Sequence, residues 1–112
     1  MLNPEIYRQR LPAEFITKKD IYNKEMYHNF LIDLCLSLKM TKLLGPIVGA
    51  GEIGASAWMV WKESGVQIHA WGKQGLVAVD IFSCKPYTKE IVLEVIKRHF
   101  GEVEVHFGKV QI

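Results

Sequence analysis

Three groups of residues in this chain are of types that do chemistry. The first is Gly49-Ala50-Gly51-Glu52-Ile53-Gly54, which has the spacing G-x-G-x-x-G. In a dinucleotide site that spacing lets a pyrophosphate approach a helix N-terminus closely. The context opposes such a site here. The next run, Ser56 to Trp61, alternates like a strand, and Gln74 stands near the place where a ribose-binding acid belongs. The second group is the histidines His28, His69, His99 and His106, none of which shares close spacing with another His or Cys, as a local metal motif requires. They read as surface or core residues, and no metal site is predicted. His69 differs in position only: it lies five residues beyond Ser64, on the run after Glu63-Ser64-Gly65. The third group is Cys35 and Cys84, far apart and without a Cys-x-x-Cys pair. Neither a disulfide framework nor a zinc site is suggested, and a reducing compartment fits. Cys35 sits in an apolar helical run, and Cys84, taken alone, reads as a buried inert thiol at the end of a strand.

Periodicity predicts the helices and strands that carry these residues. Leu11 to Thr17 reads as a short strand. From Asp20 a helical pattern opens in which Met26, Phe30, Leu34 and Leu38 recur every fourth position. Gly45, Pro46, Gly49, Gly51 and Gly54 are dense enough in breakers to predict a loop from 45 to 54 with at most a short strand inside it. Ser56 to Lys62 and Val66 to Trp71 alternate with period two, so two strands meet at Glu63-Ser64-Gly65. Leu76 to Phe82 is a further strand. Thr88 to Phe100 is a second helix with Ile91, Val92, Val95 and Ile96 on one face and Gly101 as its stop, and Val103, Val105 and Phe107 alternate as a last strand. This order predicts an α+β fold, a two-layer sandwich with a mainly antiparallel sheet and two helices on one face.

With 112 residues, 49% hydrophobic and 23% charged, the chain is one domain of a soluble globular protein. A net charge of +2 gives no basic footprint for nucleic acid. The longest apolar runs, near Leu43 to Ala50 and Leu76 to Phe82, are too short to span a bilayer, and the N-terminus has no long apolar stretch behind a basic start. A cytoplasmic location is the expectation, with neither nucleic acid nor membrane as partner.

Lys62-Glu63-Ser64-Gly65-Val66-Gln67-Ile68-His69-Ala70-Trp71, followed by Ala78-Val79-Asp80-Ile81-Phe82-Ser83-Cys84, resembles the core of the prokaryotic pyruvoyl-dependent S-adenosylmethionine decarboxylase proenzymes. Ser56 falls where that family keeps a processing serine, and Ala13-Glu14-Phe15 is similar to its N-terminal strand motif. The resemblance is densest from Gly54 to Cys84.

The resemblance implies a self-cleavage between Glu63 and Ser64. Ser64 Oγ attacks the Glu63 carbonyl to give an ester, Ser56 assists, and His69 helps remove the Ser64 α-proton so that elimination frees the upstream chain. Residue 64 becomes the pyruvoyl cofactor, whose carbonyl forms a Schiff base with a substrate amine before carbon dioxide leaves. Cys84 is then the proton donor to the carbanion, and Glu14, Phe15 and Trp71 are substrate-binding residues. The implied role is polyamine (spermidine) biosynthesis by a homodimer whose sites lie between protomers. Trp58, Trp61 and Trp71 either join that surface or belong to the core. Two departures stand out: Gly72 and Lys73 occupy the places where the family commonly has Pro-Glu, and Gly49-Ala50-Gly51 supplies no stacking aromatic. They keep two alternatives open, a pyruvoyl-dependent decarboxylase of an amino acid such as ornithine or arginine, and a non-processing homologue that only binds a ligand or partner.

Overall fold

Alternation decides which way each strand faces, and the strands decide where the helices go. The computed structural model describes residues 5–109. The chain runs through strand β1 (Gln9–Ile16), helix α1 (Lys24–Ser37), β2 (Lys42–Ala50), β3 (Gly54–Trp61), β4 (Ser64–Trp71), β5 (Leu76–Ser83), helix α2 (Lys89–Phe100) and β6 (His106–Phe107). The strands form one sheet in the order β2-β3-β4-β5-β1-β6, and every neighbouring pair is antiparallel. Leu11, Ala13 and Phe15 of β1 are buried, as are Ala57 and Met59 of β3, Val66 and Ile68 of β4, and Val79 and Ile81 of β5. The intervening side chains, Glu14, Ser56, Trp58, Gln67, His69, Trp71 and Asp80 among them, are exposed on the other face. A period-two chain can bury only one of its two rows against a single helix layer.

Both helices cover the buried row. The Asn23 side chain caps α1 by accepting the Met26 N–H at 3.4 Å, and Met26, Tyr27, Phe30, Leu31 and Leu34 form its inward stripe. Phe100 of α2 is the meeting point: its ring lies 5.0 Å from Phe15, 5.1 Å from Phe30 and 6.0 Å from Tyr27 between centroids. Such tilted and edge-on contacts add to the area these rings bury.

On their outer side the helices are clasped by one carboxylate. Asp33 of α1 accepts from Arg98 Nε at 3.1 Å, from the His99 ring at 2.7 Å and from Ser37 Oγ at 2.8 Å. Burial works to raise its carboxyl, but the hydrogen bonds from His99, Arg98 and Ser37 outweigh it and hold the group below the usual carboxylate range. The folded state therefore binds this proton less readily than the unfolded chain. The stabilisation is complete above about pH 4 and is lost as pH falls through the lower folded value. Asp33→Ala is expected to cost about 1–2 kcal/mol at pH 7 in urea unfolding, and the deficit should shrink by pH 3. A deficit that is the same at both pH values would show that packing, not the clasp, is lost.

The structure corrects the sequence reading in several places. The glycine-rich stretch is not a loop: residues 42–50 form the edge strand β2. Helix α1 starts at Lys24 rather than Asp20, because Asp20 instead accepts the Tyr22 N–H in a turn. The last strand is only His106–Phe107, paired to Glu14 and Ala13. Trp61 is core, at 1% exposure, whereas Trp58 and Trp71 stand 45% and 40% exposed on the open face. Residues 1–4 and 110–112 of the single-domain reading, and the first part of the N-terminal stretch, lie outside the described residues. Among the described residues no helix is long and apolar enough to cross a membrane.

Candidate active site

The β3–β4 hairpin puts the Glu63-Ser64 bond at a tight turn. Trp61 pairs with Ser64 across it, leaving Lys62 and Glu63 as the loop. Ser64 has φ 138°, a positive value that costs a residue with a Cβ, and it is followed by Gly65 at φ 149°. A side chain at residue 65 is impossible without rearrangement, since its Cβ would lie 2.5 Å from the Met59 carbonyl oxygen. The strain therefore falls on Ser64, the one residue of the pair that carries a hydroxyl.

Glu63 is held from several sides. Its carboxylate accepts the Thr41 N–H at 2.9 Å and the Thr41 hydroxyl at 3.2 Å, and chiefly that backbone hydrogen bond keeps the carboxyl below its ordinary value. Its carbonyl oxygen accepts the Cys84 N–H at 2.8 Å. A donor fixed on a carbonyl oxygen is the arrangement that stabilises negative charge when the carbon is attacked. The same hydrogen bond brings Cys84 beside the Glu63-Ser64 bond. Cys84 is exposed just past the end of β5, not buried as its sequence context suggested, while Cys35 is buried in α1.

A second group lies further along the open face. Ser56 and His69 are cross-strand partners, with Ser56 Oγ 3.1 Å from His69 Nδ1 and Gln67 Nε2 2.9 Å from His69 Nε2. With the Gln67 amide donating to Nε2, the tautomer that fits this geometry is the one with its proton on Nδ1, toward Ser56 Oγ. An imidazole held in this way is fixed in orientation on the open face. Trp71 is next on the same row, its ring 6.4 Å from that of His69. Gln67 and Thr41 went unnoticed in the sequence. Gln67 had a signal, because it precedes His69 by two residues and shares its face; Thr41 reaches Glu63 across 22 residues and had none.

The two groups are not together on one chain. Five residues of extended strand separate Ser64 from His69, about 16 Å at 3.3 Å per residue. Ser64 opens into a cleft with Arg10, Trp58, Gly65, Gln67 and Asp80. His69 opens into two others: one of about 490 Å³ that includes Glu14 and His106, and one of about 540 Å³ that includes Ser56, Glu52 and Trp71. Phe15, expected at the substrate, is elsewhere. It is 1% exposed beneath the helices, because it shares the inward row with Leu11 and Ala13, and only its neighbour Glu14 reaches the open face. Among the described residues no group of three or more His, Cys, Asp or Glu is placed to hold a metal ion.

The fold has a solved counterpart. The crystal structure of the adenosylmethionine decarboxylase from Aquifex aeolicus VF5 superposes with a TM-score of 0.73 over 94% of this chain and 91% of that one, at 16% sequence identity. At that identity the likeness is one of fold, and it defines the class: a two-layer α+β sandwich of decarboxylase architecture. No curated protein sequence matches the chain. A family model described as S-adenosylmethionine decarboxylase matches residues 13–111, and the chain belongs to that family.

Proposed function

We propose that the chain is a proenzyme that cleaves itself between Glu63 and Ser64, turns residue 64 into a pyruvoyl group and decarboxylates S-adenosylmethionine for spermidine synthesis. The observation that carries this reading is the positive φ of Ser64 next to a carbonyl already gripped by the Cys84 N–H. Ser64 Oγ attacks the Glu63 carbonyl carbon, the peptide C–N bond breaks, and an ester joins Glu63 to Ser64 Oγ. Relief of the strained backbone favours this shift. Removal of the Ser64 Cα proton by His69 expels the Glu63 carboxylate. The dehydroalanine left behind takes up water and loses ammonia, so residue 64 ends as pyruvoyl. The residues present suit the group, since residue 64 lies in an open cleft beside Cys84. When present, its carbonyl draws electrons from the breaking Cα–carboxylate bond.

The roles of this chain's residues then separate. Trp71 and Glu14 bind the substrate on the open face, and Cys84 returns a proton to the carbanion carbon. Because Ser64 and His69 stand about 16 Å apart on one strand, His69 and Ser56 act on Ser64 of a second copy. A two-fold axis passing between the two groups lays each over the other's complement and forms two equivalent sites. Exposed Trp58, Trp71, Ile16 and Ile47 supply apolar area for that homodimer.

Carboxyl-labelled S-adenosylmethionine, ornithine and arginine, each incubated with processed protein, are expected to release labelled carbon dioxide from the first alone. Release from an amino acid and silence with S-adenosylmethionine would move the substrate assignment. Cys84→Ala keeps the backbone N–H on Glu63, so cleavage should persist at least in part, while decarboxylation falls about a hundredfold to ten-thousandfold with loss of the general acid. Undiminished turnover in this variant would remove Cys84 from the chemistry.

A further inference from the structure

The cleft of Ser56, His69 and Trp71 is bounded by two turns, and one side chain ties them together. Tyr22, in the segment before α1, lies over both. Its hydroxyl donates to the Glu52 carbonyl in the β2–β3 turn at 3.1 Å. The same hydroxyl occupies the space above Gly72 in the β4–β5 turn, where a Cβ would lie 1.9 Å from it. Tyr22 is itself seated, since its N–H donates to Asp20 Oδ1 at 3.0 Å. The turns are also joined through the backbone, where Gly72 N–H donates to the Ile53 carbonyl at 2.9 Å, while Gly51 N–H closes the β2–β3 turn on the Gly54 carbonyl at 2.9 Å. Glycine at 72 is therefore the residue that admits the tyrosine.

What this arrangement presents is chemically specific. Among the described residues lining that cleft, Glu52 is the only acid and Trp71 the only indole or phenyl ring. A carboxylate and an exposed indole on one cleft favour a cationic ligand, by charge and by cation–π attraction. We infer that Tyr22 is a positioning residue: its hydroxyl clamps the β2–β3 turn to the β4–β5 turn and so keeps Glu52 and Trp71 on one cleft to receive a cationic substrate. Its role in substrate binding rests on the function proposed above; the clamp itself does not. Tyr22 acts through Glu52 and touches no reacting atom.

The test uses the full-length purified chain and two independent readouts. Amide hydrogen exchange at Gly51 and Gly72 reports the clamp without any ligand. Tyr22→Phe keeps the ring and loses the hydrogen bond, and exchange at both amides should quicken several-fold. Tyr22→Ala and Gly72→Ala should each quicken it further, and the double variant should be no worse than the worse single one, because both changes break the same contact. Unchanged exchange in Tyr22→Phe, or fully additive singles, would overturn the clamp. The second readout is decarboxylation of S-adenosylmethionine. In Tyr22→Phe, KM should rise about five-fold with kcat unchanged, the effect of one lost hydrogen bond, and Glu52→Gln should raise KM likewise. Cleavage at Glu63-Ser64 should proceed as in the parent, because Ser56 and His69 are held on each other by the β3–β4 pairing and not by the clamp. Faster exchange with an unaltered KM would overturn the positioning role. Absence of turnover by the parent protein would overturn the proposed function instead and leave the exchange result to judge the clamp.

Discussion

Ser64→Ala is expected to leave the polypeptide whole, whereas the parent chain separates into fragments 1–63 and 64–112. The substitution removes the only atom that can form the ester with Glu63, and it leaves the rest of the turn in place. Thr41 still binds the Glu63 carboxylate and the Cys84 N–H still holds its carbonyl. A carbonyl that is polarised and strained but has no nucleophile beside it hydrolyses only at the slow rate of an ordinary amide. Intact mass and a denaturing gel read the result directly: two fragments, the second with a blocked N-terminus, against one full-length chain. Decarboxylation should fall to background in the same preparation, because a variant without the hydroxyl cannot make the cofactor. Thermal unfolding should stay close to that of the uncleaved parent, which separates lost chemistry from lost fold. A parent protein that remains intact under every condition would end the self-processing reading and leave family and fold untouched.

How much of this was legible in the sequence depends on the range of the interactions. Strands β3, β4 and β5 were readable because each buries a row of apolar residues against helices and exposes the other row, so the period survives intact. Strand β2 was not, since Gly45, Pro46 and Gly49 look like breakers. They are tolerated because β2 ends the sheet, where one side of the strand has no ladder partner on this chain. Phe15 was misplaced although its own strand held the answer. Glu14 and Phe15 are adjacent, so one must face in, and the larger apolar ring joins Leu11 and Ala13. The candidate site was legible as residue types and illegible as contacts. Cys84 reaches Glu63, and Thr41 reaches it too, only because the sheet brings together segments about 20 residues apart. No local pattern encodes such a pairing. Cys84 is exposed although it directly follows Ser83, the buried last residue of β5, because it lies beyond the end of that strand.

The spacing of Ser64 and His69 leads to the expectation with the most structural content, that two inactive variants restore each other. Along an extended strand, five residues cannot contract, so on the proposed mechanism a histidine about 16 Å from the serine on its own chain serves the serine of another. Ser64→Ala alone cannot form the ester. His69→Ala alone should form it and stall, giving a chain that hydroxylamine cuts between residues 63 and 64 although the protein does not cut itself. When the two variants are unfolded together and refolded as a mixture, about half of the dimers pair unlike chains if assembly is random. In each mixed dimer the Ser64→Ala chain offers an intact His69 to the Ser64 of its neighbour, so one site in two is complete. About half of the His69→Ala chains should then process, while every Ser64→Ala chain stays whole. Distinct tags on the two chains show which one is cut. Action within a single chain predicts no cleavage in the mixture, and the homodimer argument would then fail at its foundation. A processing yield that rises with the excess of the Ser64→Ala chain, and saturates when every His69→Ala chain has such a neighbour, is the result that the two halves of this open sheet face require.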